Sequence, residues 1–279
     1  MAEGAVPRLY DRLYDRLWDS GVLNAGAITW RELGAYFTSP IGYVVAAVLV
    51  IPVSLLGYLA YLAPTPVPIS MQRVFQLVAF LMVFLVPLYT MRLLAEERRS
   101  DTLELLLTSP VRDWEVVLGK WLAAFVFYLA TVAFTVVYVV LISIYTPGQA
   151  RASVLGLQLT LPAVDYGSIV AGYVGLVLVG AAWTAIGLFA SSLTGNQIIA
   201  AVVGIGVLVC FEYLFGVVAG YAGGAGTIGS VLGYLDASSH ADTLWQGRIL
   251  LRDVVYFVTL TLGALFVTAR VLESRRWRA

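Results

Sequence analysis

Six long apolar runs constrain the fold of this chain more than any other feature of its sequence. The length of each run is close to the minimum for a helix that crosses the hydrocarbon core of a bilayer, which is about 20 apolar residues. Only 12% of the 279 residues are charged, whereas an ordinary soluble domain has about a quarter. The sequence therefore predicts an all-α integral membrane protein with six transmembrane helices, at roughly 41–62, 74–91, 121–145, 167–192, 197–218 and 251–270.

A seventh uncharged run, at 213–235, is rich in glycine, and the positions of the basic residues indicate whether it spans. With six spans and an inner N-terminus, the outer connections hold only four arginines, and every other Arg and Lys lies inside, as the positive-inside rule requires. A seventh span would place the arginine-rich C-terminus outside. We therefore expect both termini in the cytoplasm and a re-entrant or surface hairpin on the outer side, in the connection that follows the fifth span. The four outer arginines are Arg73, Arg151, Arg248 and Arg252.

The segment 91–120 is strongly charged, although it lies between two apolar runs. Leu103, Leu106 and Leu107 recur at helical spacing beside Glu104, which predicts a short amphipathic helix at the membrane surface. A multi-pass protein that presents such a helix is expected to receive a signal or a force from a soluble partner.

The N-terminal segment, residues 1–40, is predicted to lie at the inner membrane surface. It contains a tandem repeat, Arg-Leu-Tyr-Asp at 8–11 and 12–15 and then Arg-Leu-Trp-Asp at 16–19. On a helix the repeat sets apolar and aromatic side chains along one side, so it is either a simple membrane anchor or a contact with a soluble partner. A second interfacial helix is predicted at 27–38, closed by Ser39-Pro40.

Three blocks of the sequence resemble the permeases of type-2 ABC transporters, the ABC-2 family. The resemblance extends over nearly the whole chain after about residue 24, and it is to the subgroup that includes gliding-motility permeases and those that assist nitrous-oxide reductase maturation. The chain departs from the family pattern at Asp101, where glycine is usual. The blocks are 31–43, 96–110 with Gly119-Lys120, and a third made of His240, Gly247, 252–256 and 275–278.

The resemblance implies a fold in which residues 41–279 form a six-helix transmembrane domain that pairs with a second copy as a homodimer. It implies an interfacial elbow helix before the first span, with Arg31, Glu32, Tyr36 and Phe37 in it. It also implies a cytoplasmic coupling helix between spans two and three, and an outer re-entrant hairpin between spans five and six. The residues expected to couple to an ATPase are Glu96, Glu97, Arg98, Thr102, Leu103, Glu104, Leu106, Leu107, Ser109 and Pro110.

The chain has no phosphate-binding loop of its own. Lys120 follows Gly119, but Trp121 stands where the loop needs Ser or Thr, and Trp114 stands where it needs the first glycine. We therefore expect no enzyme activity, no metal and no cofactor in this chain, and ATP-Mg in two copies of a separate ABC ATPase subunit. The other expected partners are the lipid bilayer of a bacterial or archaeal inner membrane and an auxiliary protein with a large outer domain; nucleic acid is not expected.

Two groups of polar residues in the apolar part of the chain are candidate sites. Glu212 faces a substrate path or proton route, or is hydrogen-bonded to a neighbouring helix, or lies near the outer surface. His240, with Asp236 and Asp242 nearby in sequence, either orders an outer gate or, less readily, holds a metal ion.

The glycines that follow Glu212 form a third candidate feature. Gly216, Gly220 and Gly224 recur every fourth residue, a spacing that permits close helix packing, either within the hairpin or at a dimer seam or pore.

The sequence thus favours the membrane-spanning permease subunit of an ABC-2 type transporter, powered by a separate ATPase and moving a substrate across or out of the membrane, with export favoured over import. The alternative is a membrane scaffold that anchors an ATPase and outer assembly factors for motility or cofactor maturation, without solute transport. An ion-coupled secondary transporter would not explain the charged segment 91–120. An intramembrane enzyme would need an acid, a base and a nucleophile that converge at one depth.

Overall fold

The computed structural model describes residues 22–62, 71–100, 112–145, 149–154, 157–162, 166–221 and 226–276. This part of the chain is helical apart from one short two-stranded hairpin. The helices are α1 (Val22–Thr38), α2 (Pro40–Leu62), α3 (Met71–Thr90), α4 (Arg92–Arg99), α5 (Asp113–Ala133), α6 (Val136–Tyr145), α7 (Tyr166–Leu193), α8 (Gln197–Val209), α9 (Phe215–Tyr221), α10 (Thr227–Leu235), α11 (Ala237–Trp245) and α12 (Leu251–Arg276).

Five helical segments of the described chain are long and apolar enough to cross a membrane, and a bent pair of helices provides a sixth candidate. The bent pair is α1 with α2, which turn by 70° at their junction. Ser39-Pro40 explains the turn, since proline disfavours a helical conformation at the residue before it. The prediction of a multi-pass helical membrane protein is confirmed. The five segments are 71–99, 113–141, 166–193, 197–221 and 251–274.

Helix α7 lies at the centre of the bundle and contacts α3, α5, α8, α11 and α12. Its small residues let aromatic side chains from the neighbours approach the backbone closely. A Cβ at Gly172 would lie 2.0 Å from the Phe75 ring, and one at Gly180 would lie 2.0 Å from the Tyr128 ring. Small residues at such contacts are the usual basis of helix packing in membranes.

The predicted third and fifth spans are each interrupted. α5 and α6 are separated by a short break at 134–135, while α8 continues into α9 through a π-helical turn, Cys210–Leu214. By contrast, Pro52 and Pro87 lie inside continuous helices, α2 and α3. Membrane helices tolerate proline in this way.

A β-hairpin occupies the connection between α6 and α7. Strands β1 (Gln149–Val154) and β2 (Leu157–Pro162) pair antiparallel, with Val154 opposite Leu157. No structure was predicted for this connection, although residues 157–161, Leu-Gln-Leu-Thr-Leu, alternate between apolar and polar as a half-buried strand does. The separation of two residues is that of a tight hairpin.

The glycine-rich run 213–235 contains two short helices, α9 and α10, that pack against each other. With seven and nine residues they are each too short to span a bilayer. This agrees with the expectation that the run is not a full seventh span. That the pair re-enters the membrane stays a prediction.

The two ends of the bundle carry different polar groups. We call the end that contains α1, α4 and the turn at 194–196 the elbow end, and the end that contains α10, α11 and the first turn of α12 the far end. At the far end, Gly247 adopts a φ of +83°, and a Cβ there would lie 2.3 Å from Oγ of Ser168. Both the backbone conformation and the close approach to α7 require glycine at this position.

Candidate functional site

A buried lysine connects three helices at the elbow end. Nζ of Lys120 lies 3.0 Å from Oε1 of Glu32 in α1 and 2.8 Å from Oε1 of Glu97 in α4, and its side chain is 1% exposed. Arg31 binds the same two oxygens, at 2.8 Å and 3.2 Å, from the solvent side. We call Arg31, Glu32, Glu97 and Lys120 the elbow cluster. It joins the predicted elbow helix, the predicted docking segment and the start of the third span.

The charges of the elbow cluster support one another. Burial on its own raises the pKa of the Glu32 carboxyl group. The attraction of Lys120 and the hydrogen bonds from Arg31 and Lys120 outweigh burial, so the pKa of Glu32 lies below its ordinary value. Glu32 is therefore held ionised, which is the state that pairs with the buried ammonium group.

Close packing of α1 on α5 brings the elbow cluster together. At Gly119, directly before Lys120, a Cβ would lie 2.8 Å from the carbonyl oxygen of Ala25. Thr29 Oγ1 donates to the carbonyl oxygen of Gly119 at 3.0 Å, and Asn24 Nδ2 donates to Glu115 Oε2 at 3.0 Å. Glycine at 119 thus permits the distance at which Glu32 reaches Lys120.

An aromatic group anchors the C-terminal end of α1. The buried Tyr36 hydroxyl donates to the carbonyl oxygen of Tyr89 at 3.1 Å, and the Tyr36 ring stacks on Phe127. The Arg92 guanidinium lies 4.5 Å from the centre of the Tyr36 ring, within the range of a cation–π contact. Phe37 also contacts Phe127, edge to face. The four residues predicted for the elbow helix are thus all placed in α1, against α3, α4 and α5.

Helix α4 is fixed on its other side by the last turn of α7. Oγ of Ser191 accepts hydrogen bonds from the backbone N–H groups of Leu94 and Ala95, both at 3.0 Å, and donates to the carbonyl oxygen of Met91 at 2.7 Å. Nη1 of Arg98 donates to the carbonyl oxygen of Leu193 at 3.0 Å. A displacement of α4 would therefore move both α7 and, through Lys120, α1 and α5.

The predicted coupling residues divide into two sets. Glu96, Glu97 and Arg98 lie in α4, and two of them make the contacts given above. The other residues of this prediction lie outside the described residues; they are Thr102, Leu103, Glu104, Leu106, Leu107, Ser109 and Pro110. The sequence analysis did not identify the roles of Ser191 or Lys120. A single lysine at the start of an apolar run was the available signal, because a cation at that position needs a partner.

A second polar site lies at the far end, around the fully buried Asp253 at the start of α12. Its Oδ1 lies 2.6 Å from His240 Nδ1 and 3.1 Å from Arg252 Nε, while Oδ2 accepts from Thr243 Oγ1. His240 Nε2 lies 3.1 Å from the carbonyl oxygen of Tyr234. Both ring nitrogens of His240 thus face acceptors, an arrangement that two N–H donors satisfy.

His240 therefore does not have the neighbours that its place in the sequence suggested. Its carboxylate partner is Asp253, whereas Asp236 accepts from Ser238 and Asp242 accepts from Gln76. Among the described residues there is no group of three or more His, Cys, Asp or Glu side chains that could hold a metal ion. The His240 ring stacks on Tyr256, whose hydroxyl donates to the carbonyl oxygen of Leu235. This polar cluster fastens α10 and α11 to α12.

The other far-end candidates lie along the π-helical turn and α9. Glu212 is 6% exposed, and its Oε2 has no hydrogen-bond partner in the described part of the chain. Gly216 lies against Asp236, whereas Gly220 faces open space. Gly224 lies outside the described residues.

Most of the chain matches a known family. The family model described as ABC-2 family transporter protein matches residues 26–247, which begin within α1 and end directly after α11. The match therefore includes the elbow cluster, α4 and the polar residues of α9 to α11. A comparison with curated proteins returned no match.

Proposed function

This chain belongs to the ABC-2 family of transporter proteins, and we propose that it is the membrane-spanning permease subunit of an exporter powered by a separate ATPase. Two copies of the chain form the transmembrane part, and two ABC ATPase subunits bind ATP-Mg. The elbow end faces the cytoplasm of a bacterial or archaeal cell, and the protein lies in the inner membrane. The concentration of basic residues in segments assigned to that side supports this orientation.

The observation that supports the proposal most is the set of contacts that α4 makes with α1, α5 and α7. The segment that follows α4, residues 101–111, contains the amphipathic pattern expected to dock on the ATPase. α4 itself is bound to α1 and α5 through Glu97 and Lys120, and to α7 through Ser191. A force on the docking segment therefore reaches the elbow helix, the third span and the central helix at once.

This arrangement suggests how nucleotide binding drives the membrane part. Closure of the ATPase pair pushes the docking segment, and the rigid contacts of α4 convert that push into a movement of α1, α5 and α7. The movement needs a coupling free energy, so the ATP-bound and ATP-free ATPase must prefer different permease conformations. The far end, fastened by Asp253 and His240, is the part that opens or closes to the outside.

Co-expression tests this function. The tagged chain is produced together with an ABC ATPase from the same organism and purified in mild detergent, and the mass of the intact complex is measured. We expect two copies of each subunit and an ATPase rate that the permease alone does not show. Replacing both Glu104 and Leu106 by alanine should abolish capture or stimulation of the ATPase, whereas Arg270→Met, on the last helix, should leave both unchanged.

Two results would count against the proposal. A chain that captures no ATPase would contradict the assignment of the docking segment. A two-plus-two complex that hydrolyses ATP but moves no lipid, peptide or small-molecule substrate in liposomes would instead support the scaffold, in which the permease anchors outer assembly factors without transport.

A further inference from the structure

The His240 side chain joins three helices at the far end. It belongs to α11, its Nδ1 lies 2.6 Å from Oδ1 of Asp253 in α12, and its Nε2 lies 3.1 Å from the carbonyl oxygen of Tyr234 in α10. His240 is only 4% exposed. The ring therefore depends on these two oxygens, rather than on bulk water, for its hydrogen bonds.

Both ring nitrogens must carry a proton if both contacts are hydrogen bonds. A backbone carbonyl oxygen can only accept, so Nε2 has to donate to Tyr234. Asp253 also receives hydrogen bonds from Arg252 and from Thr243, which favour its ionised form. An ionised carboxylate likewise only accepts, so Nδ1 donates to it. In this arrangement His240 is a positively charged imidazolium.

The Nε2 contact holds the C-terminal end of α10. The last carbonyl groups of a helix have no partner within it, and this end carries a partial negative charge that favours a cation. Tyr234 and Leu235 are the last two residues of α10. The carbonyl oxygen of Leu235 accepts from the Tyr256 hydroxyl at 2.8 Å. One charged and one neutral side chain thus connect α10 to α11 and α12.

Loss of one proton from His240 would break its contact with α10 and leave its contact with α12. A neutral imidazole keeps a single N–H, and the charged Asp253 is a stronger acceptor for it than a carbonyl group. Nε2 then presents a lone pair to the carbonyl oxygen of Tyr234, and two acceptors repel each other. Asp253 stays paired with Arg252 in this state.

Within the described residues, Asp253 is the carboxylate that forms an ion pair with His240. The carboxylates of Asp236 and Asp242, which flank His240 in sequence, accept from Ser238 and Gln76 instead. Helix α7 packs against α11 and contains no charged residue. The other titratable side chains at this end of the neighbouring elements are Arg73 of α3, Tyr166 and Tyr173 of α7, Cys210, Glu212 and Tyr213 of the π-helical turn, Tyr234 of α10, and Arg252 and Tyr256 of α12.

We propose that His240 is a pH switch, which holds α10 against α11 while both ring nitrogens are protonated and releases α10 when Nε2 loses its proton. The proposal rests on the proposed function, in which the far end opens to the outside, and adds regulation of that opening by the outer pH. Histidine suits this role, because it ordinarily changes its charge between about pH 5 and 8. Acid therefore keeps α10 attached, and a rise in pH releases it together with α9, against which it packs.

Nuclear magnetic resonance measures the protonation state of the ring. The sequence contains one histidine, so a chain labelled with ¹⁵N-histidine and purified through a histidine-free tag gives imidazole signals from His240 alone. The chain is placed in nanodiscs without any ATPase, and spectra are recorded from about pH 5 to about pH 9, a range that includes the usual titration of histidine. We expect two N–H groups at the acid end, and at the alkaline end a neutral ring in which Nε2 carries no proton.

Hydrogen–deuterium exchange of the α10 amides measures the release. After correction for the intrinsic rise of exchange with pH, we expect exchange to become at least roughly tenfold faster over the same range, as loss of one hydrogen bond from a charged group predicts. His240→Gln has no titrating ring, so its corrected exchange should not depend on pH. Tyr256→Phe removes the neutral contact with Leu235, and should speed exchange at every pH while keeping the dependence on pH.

Three results would overturn the pH switch. They are an Nε2 without a proton at the acid end, a ring that keeps both protons throughout, and corrected exchange that rises equally in wild type and His240→Gln. If His240→Gln does not fold, as judged by gel filtration, the spectra of the wild type and the exchange of Tyr256→Phe still decide, since loss of the pH dependence in Tyr256→Phe would also contradict the proposal.

These outcomes are distinct from those of the proposed function. Because no ATPase is present, failure of the pH switch leaves subunit capture and ATP hydrolysis untouched. A chain that releases α10 as the pH rises but captures no ATPase would keep the pH switch and contradict the transporter assignment alone.

Discussion

Nζ of Lys120 lies 2.8 Å from Oε1 of Glu97, and this ion pair connects the start of the third span to the helix that precedes the predicted docking segment. The lysine is almost fully buried, while the Glu97 side chain is 17% exposed. A buried ammonium group is stable only when it is paired, because removing it from water costs several kcal/mol. The pair therefore fixes the relative position of α4 and α5 whenever both are charged.

Replacing Lys120 by methionine should separate folding from coupling. The substitution keeps a long unbranched side chain, shorter by the terminal ammonium group, and leaves Glu32 and Glu97 without their buried cation. We expect a loss of about 3 kcal/mol in the free energy of unfolding, at the low end for a broken buried pair because both carboxylates retain contact with solvent. Thermal unfolding in mild detergent measures this change.

The matched control for Lys120→Met is Arg270→Met, which breaks an ion pair whose two side chains are 60% and 44% exposed. Exposed pairs contribute about 0–1 kcal/mol, so this variant should unfold near the wild-type temperature. In the complex with the ATPase, Lys120→Met should still assemble but lose stimulation of ATP hydrolysis. Full stimulation in that variant would show that the elbow cluster does not transmit the force.

Much of the fold could be predicted from the sequence, because apolar runs of fixed length leave few alternatives in a bilayer. The spans, the bend at Ser39-Pro40 and the placement of Arg31 and Glu32 on a helix before the first span all follow from local patterns. The elbow cluster could not be predicted in the same way. Lys120 is 88 residues from Glu32 and 23 from Glu97, and no local pattern indicates that these residues meet.

At the far end, too, the side-chain contacts could not be predicted from local sequence patterns. The proximity of Asp236 and Asp242 to His240 in sequence suggested that they act together. The structure instead pairs His240 with Asp253, thirteen residues away, because α11 packs back against the first turn of α12. Ser191 gives no sequence signal either, since a serine in a membrane helix usually bonds to its own backbone. Its role depends on the approach of α4.

Two glycine-to-alanine substitutions, one at a close contact and one in open space, test the packing of the elbow helix. Gly119→Ala would place a Cβ 2.8 Å from the carbonyl oxygen of Ala25, a backbone atom that cannot move aside alone. We expect a loss of about 1–3 kcal/mol through overpacking. In Gly263→Ala the new methyl group meets nothing within 4 Å, so the better helix propensity of alanine should stabilise α12 slightly. Unfolding temperatures that change in the same direction for both variants would contradict this packing.

Acidification should weaken the elbow cluster through Glu32. The pKa of Glu32 is lowered from 4.5, so its contribution to stability is complete above that pH and is lost as the pH falls through the lower pKa of the folded state. Glu32→Gln removes this contribution at every pH. The difference in unfolding temperature between wild type and Glu32→Gln should therefore be constant from pH 7 to 5 and shrink below pH 4.5. A difference that grows on acidification would show that the pairing with Lys120 is wrong.

We expect the side chains of Asp253 and Thr243 to stabilise the far end as one unit. Asp253→Asn removes a charge that His240, Arg252 and Thr243 all approach, and it offers only one acceptor oxygen in place of two. We expect a loss of about 3 kcal/mol in the free energy of unfolding, since the buried histidine loses its charged partner.

Thr243→Val keeps the shape of the side chain but removes its donor, and should cost about 1–3 kcal/mol. Both single variants disturb the same hydrogen bond, from Thr243 Oγ1 to Asp253 Oδ2. The double variant can lose this bond only once, so the two losses in the free energy of unfolding should not add. Their coupling free energy, measured by a double-mutant cycle of thermal unfolding, should be about 0.5–3 kcal/mol. Strictly additive losses would mean that Thr243 does not stabilise the Asp253 carboxylate, and that α11 is fastened to α12 by His240 and packing alone.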